Sequence, residues 1–366
     1  MLEHEFTKAI YTILEKHFGD NAHDIYLRSP LLQYLNSETR GASRESKARK
    51  SNGNLFALYA LVLDYRNQGY HAKQGYSDTY QGARFTDLKK VANSLAGGAK
   101  LQNHAFNHRL NEKFKKLFQE CPYQPIIRDL STKRYWINEN LINIDFNKQN
   151  YNISKEVLLI IEQFIIVVRE EFENFIKYTT QLATIASNQP DRIKEFIVQQ
   201  LSPSSDARTF EIVSYAILKN HYKNQHIYWG WEADKLTKEH LHLYKTGRTN
   251  ANDGGIDFVM KPLGRFFQVT ETLDFKKYFL DIDKVQKFPI SFVVKTKMSH
   301  NDMLQTIKEN ATQTYQVKRI VEQYMNAIEE IFNIDDLIYM LKNSEDTETI
   351  LSEIILQSRI EFNYDT

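Results

Sequence analysis

A chain of 366 residues with 42% hydrophobic and 25% charged residues is too apolar for a disordered polymer and long enough for two cores. Its 47 Lys and Arg against 46 Asp and Glu leave a formal charge of +1, so bulk charge gives no hint of a polyanionic partner and only local patches can. One cysteine, Cys121, excludes an intrachain disulfide and a multi-cysteine zinc site, and suits residence in a reducing cytoplasm.

In chain order, the first six residues lack the basic and apolar regions of a secretory signal. Phe6, Ile10, Ile13, Leu14 and Phe18 recur at helical spacing. The Ser-rich stretch from Arg40 to Asn52 carries Arg44, Lys47, Arg49 and Lys50 against one acid, Glu45. It reads as a surface loop, either simply solvated or ordered by DNA phosphates. A turn at Ser51–Asn54 opens an apolar helix, Leu55 to Tyr65. Residues 85–118 suggest two helices around Gly97-Gly98. The second bears Asn103, His104, Asn107 and Arg109, a solvated polar face or one with the donors to read base edges.

Residues 122–145 predict a short hairpin or irregular link, and Ser154 is a candidate N-cap for a long helix to about residue 185. Its apolar run Val157–Val168 is broken by Glu162 and Gln163, too short and too charged to span a bilayer, so no membrane partner is expected. A short helix over 191–201 follows, and Ser202-Pro203-Ser204-Ser205 marks a boundary. Beyond it the texture changes to a helix at Phe210–His221, strands at 227–231, 256–260, 266–270 and 290–294, and a helical block from Asp302 to about Lys342. The expected class is mixed α/β: a mainly helical domain over 1–200, and an α/β domain with a central mixed sheet over 201–366.

The chemistry concentrates between Gly247 and Glu271. Gly254-Gly255 permits a bend before a strand in which Asp257 projects away from Ile256, Phe258 and Met260. A carboxylate there needs a cation or donors. The turn Pro262-Leu263-Gly264 returns the chain as a strand with Gln268 and Thr270 on one face, so an antiparallel pair sets Asp257 beside them. Hard oxygens at that spacing suit Mg²⁺, which activates water and neutralises charge in phosphodiester hydrolysis. Asp253 serves as a cap for the bend or takes a catalytic role, and Arg248 with Asn250 forms a plain loop or a phosphate contact.

In these motifs the chain resembles the PD-(D/E)xK nuclease superfamily, and within it type II restriction endonucleases. Asp257 matches the first acid, and Gln268 the second position in its Gln variant after Asp253-Gly254-Gly255-Ile256-Asp257. Glu211 resembles the helix acid that completes the metal shell. The resemblance covers about the last 160 residues. It implies Mg²⁺-dependent, site-specific cleavage of double-stranded DNA in a prokaryotic cytoplasm, by a homodimer matched to a twofold site and with no organic cofactor. Thr270 stands where the family has lysine. Either Lys295, from a neighbouring strand, or Lys261, about 13 Å from Asp257 along its own strand, replaces it, or no lysine does and the metal carries more of the load. A repair or junction-resolving nuclease, and a DNA-binding protein without activity, are the alternatives. Phosphate-binding loops, zinc-protease helices and nucleophile elbows are absent from the sequence, and His221, His226, His240 and His242 have no zinc-site spacing.

Overall fold

The computed structural model describes residues 3–42, 52–96, 98, 104–184, 189–246, 256–315 and 317–362. The chain divides into two compact units, Met1–Asn174 and Phe175–Thr366.

The first unit is mainly helical. Its elements are α1 (Thr7–Phe18), α2 (Ala22–Arg28), α3 (Pro30–Glu38), α4 (Asn52–Asn67), α5 (Tyr76–Thr79), α6 (Phe85–Ser94), a π-helical turn at Ala105–Arg109 and α7 (Leu110–Leu117). Two small sheets accompany them: β1 (Ala83–Arg84), β2 (Ile126–Asp129) and β3 (Arg134–Ile137), then the hairpin of β4 (Asn143–Phe146) and β5 (Gln149–Asn152). The expected link at 122–145 is thus a true antiparallel hairpin, followed by the start of a second. Helix α8 (Ser154–Thr184) begins here and crosses the division between the units. Ser154 is the first residue of this helix rather than its cap: its own N–H and its hydroxyl both donate to Asn152 Oδ1.

The core of this unit joins Ile10 and Leu14 of α1, Leu31, Leu32 and Leu35 of α3, Leu55–Leu58 of α4 and Val157–Phe164 of α8. Such a side chain, fully buried, contributes about 1.5–3 kcal/mol. One polar group buried within it has two partners. Glu38, buried at the end of α3, accepts from Asn54 Nδ2 at 2.9 Å and meets Lys113 Nζ at 2.5 Å.

The second unit contains α9 (Pro190–Gln200), α10 (Ala207–Tyr222), the hairpin strands β6 (His226–Trp229) and β7 (Thr237–His240), β8 (His242–Lys245), β9 (Phe258–Lys261), β10 (Arg265–Thr270), α11 (Phe275–Lys284), β11 (Ile290–Val294), α12 (His300–Thr314), α13 (Lys318–Asn326), β12 (Ile328–Phe332), α14 (Ile334–Lys342) and α15 (Thr347–Phe362). Five strands form one mixed sheet in the order β12-β11-β10-β9-β8. Strands β8, β9 and β10 run antiparallel in sequence, whereas β10, β11 and β12 are parallel. β12 corrects the expectation of an unbroken helical block to Lys342. Its apolar residues Ile328, Ile331 and Phe332 stand at spacings that also fit a helix, and pairing with β11 decides for strand.

The two faces of the sheet are covered by different helices. Tyr215 of α10 packs on Phe258 and donates to Leu243 O, and Tyr222 packs on Phe267. On the other face Tyr278 of α11 lies on Phe292, and Phe266 joins the core built with α11, α12 and α13. Helix α10 is buried without a break from Thr209 to Leu218, because α9, α14 and α15 pack on its far side. Asp206 caps it, accepting from Arg208 N at 3.0 Å and Thr209 N at 3.3 Å.

Candidate active site

One end of the sheet gathers the groups of interest. Since β8, β10 and β11 point the same way and β9 opposes them, Lys245 ends β8, and Glu271 and Lys295 follow β10 and β11, at the same rim where Asp257 precedes β9. The start of α10 reaches this rim too, for Ser205 O accepts from Lys295 Nζ at 2.6 Å. In open α/β sheets ligands bind beyond the carboxyl ends of the strands.

The sheet separates these groups by face. Register sets Lys245 beside Phe258 and Phe258 beside Phe267, all toward α10. On that side Glu211, buried in α10, pairs with Lys245 Nζ at 2.8 Å, both side chains under a tenth exposed. Lys295 pairs there with Glu271 at 2.7 Å, its ammonium near the Phe210 ring. Buried charges need such partners, and each of these carboxylates has a lysine.

The opposite face carries Phe266, Gln268 and Thr270, in register with Ile290, Phe292 and Val294 and toward α11. Continued by one pair, the β9–β10 register places Asp257 opposite Gln268, as the alternation requires. Both side chains engage the same residue. Asp257 Oδ2 accepts from Val269 N at 2.7 Å, and Gln268 Nε2 donates to Val269 O at 3.3 Å. Gln268 Oε1 is buried and has no hydrogen-bond partner. Lys277 of α11 extends its ammonium to Thr270 Oγ1 at 3.4 Å. Asp257 is half-buried and Lys277 exposed, so this side of the rim is open to solvent.

The structure therefore brings Asp257, Gln268 and Thr270 together, and it sets Glu211 and Lys295 across the sheet from them. Lys295 does not come to the Thr270 side chain, because one residue beyond Val294 the alternation turns it toward α10. Lys261 is exposed at the far end of β9. The lysine that meets Thr270 is Lys277, which reading the strands alone misses. Its signal lies in Phe275, Tyr278, Phe279 and Ile282, spaced as one helix face behind the cap Asp274. The cap accepts from Lys276 N at 3.0 Å.

A bound Mg²⁺ fits this donor set in part. The unpartnered Gln268 Oε1 and the Asp257 carboxylate are hard oxygens on adjoining strands, and magnesium commonly keeps several waters beside one or two protein ligands. Glu211 is not in the set, being held by Lys245. Among the described residues no three His, Cys, Asp or Glu side chains are grouped to hold a metal.

Of the residues read as DNA contacts, Arg44, Lys47, Arg49, Lys50, Asn103, Arg248 and Asn250 lie outside the described residues. His104 and Arg109 are exposed at the π-helical turn, the His104 ring 5.9 Å from that of His108, and Asn107 contributes to the backbone of that turn. No described helix is long and apolar enough to cross a membrane. Comparison with protein-family models, curated proteins and solved structures finds no match to this chain.

Proposed function

We propose that this protein is a Mg²⁺-dependent endonuclease that cuts double-stranded DNA in the manner of type II restriction enzymes. The observation that carries the reading is the placement of Asp257 across the β9–β10 register from Gln268, whose amide oxygen is buried and unpartnered, with the Lys277 ammonium at Thr270 on the same face. Asp257 and Gln268 would hold the ion, which when bound supplies an acidified water and counter-charge for phosphodiester hydrolysis.

The chain's own groups have separate tasks. Val269 N–H fixes the orientation of the Asp257 carboxylate, so that little reorganisation remains on binding. Lys277, a compact and mobile point charge on the open side, would steady the scissile phosphate in place of the family's strand lysine. The ion pairs Glu211–Lys245 and Glu271–Lys295 brace the rim from the α10 side. Homodimerisation and recognition of a palindrome belong to the same reading.

Incubating phage genomic DNA with the protein, with and without Mg²⁺, tests the proposal. Discrete fragments that depend on the metal are expected. Intact DNA under Mg²⁺ and Mn²⁺ alike, with tight salt-sensitive binding, would instead identify a DNA-binding protein without activity. Cutting confined to branched or damaged DNA would identify a repair or junction-resolving nuclease.

A further inference from the structure

Strands β6 and β7 form an antiparallel ribbon that joins no other sheet among the described residues. Its register pairs His226 with His240, Ile227 with Glu239, Tyr228 with Lys238 and Trp229 with Thr237. One face thus presents His226, Tyr228, Lys238 and His240, all exposed and without an acid among them. The rings of His226 and His240 are 5.9 Å apart, and those of His226 and Tyr228 5.6 Å. The strip runs on into β8 through exposed His242 and Tyr244, while Leu241 and Leu243 turn inward.

The other ribbon face is self-satisfied, for Trp229 Nε1 donates to Glu239 at 2.7 Å. At the tip Trp231 is 96% exposed, and Lys235 is paired with Glu232. Tyr228 is 62% exposed. A strip of phenol, imidazole and ammonium groups has donors for phosphate oxygens and base edges, rings for apolar contact, and nothing that repels a polyanion.

Dimensions agree. A major groove about 12 Å wide admits a two-stranded β-ribbon. From Thr237 to Lys245 the chain advances at most about 26 Å, inside one turn of the duplex at about 34 Å. A duplex lying over the rim at Lys245 can therefore receive the ribbon in the same turn.

We infer that the β6–β7 ribbon is a DNA-reading element, entering a groove with Tyr228, Lys238 and His240 toward the nucleic acid. This rests on the nuclease reading, because it takes duplex DNA as the partner at the rim.

The test is filter binding of sheared phage DNA without divalent metal, comparing the wild-type chain with Tyr228→Ala/Lys238→Ala. Both side chains are exposed, so an unchanged circular dichroism spectrum and Tm are expected. Affinity should fall at least about tenfold, and the slope of log K against log salt should shrink by about 1 for the lost phosphate contact. Unchanged affinity and slope, in a protein that still cuts DNA, would overturn the ribbon assignment alone. Absence of DNA binding by the wild-type chain would overturn this inference and the nuclease reading together. A variant that sediments as a monomer where the wild type is a dimer, with DNA affinity intact, would assign the ribbon to contact between copies and overturn the inference.

Discussion

At the scale of the residue, the distinction that matters is between lysines that brace and one that faces solvent. Lys295 is enclosed by Glu271 and Ser205 O, so Lys295→Ala removes both contacts and chiefly lowers stability. Lys277 is exposed at Thr270, so Lys277→Ala should leave the Tm and DNA affinity nearly unchanged while slowing single-turnover cleavage about 100-fold. Equal rates for Lys277→Ala and wild type would remove Lys277 from the chemistry. Glu211 gives a complementary expectation. Deleting it leaves the Lys245 ammonium buried and unpaired, and Glu211→Ala should cost about 3–5 kcal/mol in urea unfolding. Asp257, Gln268 and the anomaly of Thr270 were legible in the sequence, since strand alternation alone sets them on one face. Side-chain partners across the sheet were not. Whether Glu211 turns to a metal or to Lys245 depends on a β8 strand whose alternation of His242, Leu243, Tyr244 and Lys245 is too short to stand out.

Elements show the same division between local and distant information. Strand β11 was legible to its ends, because five successive buried residues, Ile290 to Val294, form a run that only a central strand of a covered sheet uses. Helix α8 was legible from length and apolar spacing. Strand β12 was not, because its identity comes from pairing with β11, a tertiary contact that overrides a helix-like local pattern. A titration at the start of α8 follows from packing. Glu156 is buried with Oε2 unpartnered, and burial raises its pKa; His17, 3.4 Å from Oε1, is held toward its neutral form by burial and by Lys155 and Lys16. With the folded pKa above the unfolded one, the folded state binds the extra proton, and this carboxylate costs stability as pH rises past the ordinary carboxyl range. Glu156→Gln should therefore raise the Tm at about pH 8, with the gain vanishing toward about pH 3, where both states of the wild-type acid are protonated. A gain independent of pH would contradict this account.

The whole molecule has two compact units of different texture, and the candidate chemistry lies in the second. Buried area and exposed hairpins should divide the second unit by hydrogen exchange. Amides of β10 and β11 are expected to exchange slowest, and those of the isolated β6–β7 ribbon fastest unless DNA is present. In the proposed chemistry Asp257 and Gln268, on adjoining strands, would hold a Mg²⁺ that supports DNA cleavage. Single-turnover cleavage of phage DNA at saturating protein, wild type against Asp257→Asn, measures it most directly. The Asn side chain keeps the shape and an acceptor for Val269 N–H while removing the charge. DNA binding is expected to persist and the Mg²⁺-dependent rate to fall at least about 100-fold. Cleavage by Asp257→Asn at the wild-type rate would contradict this chemistry.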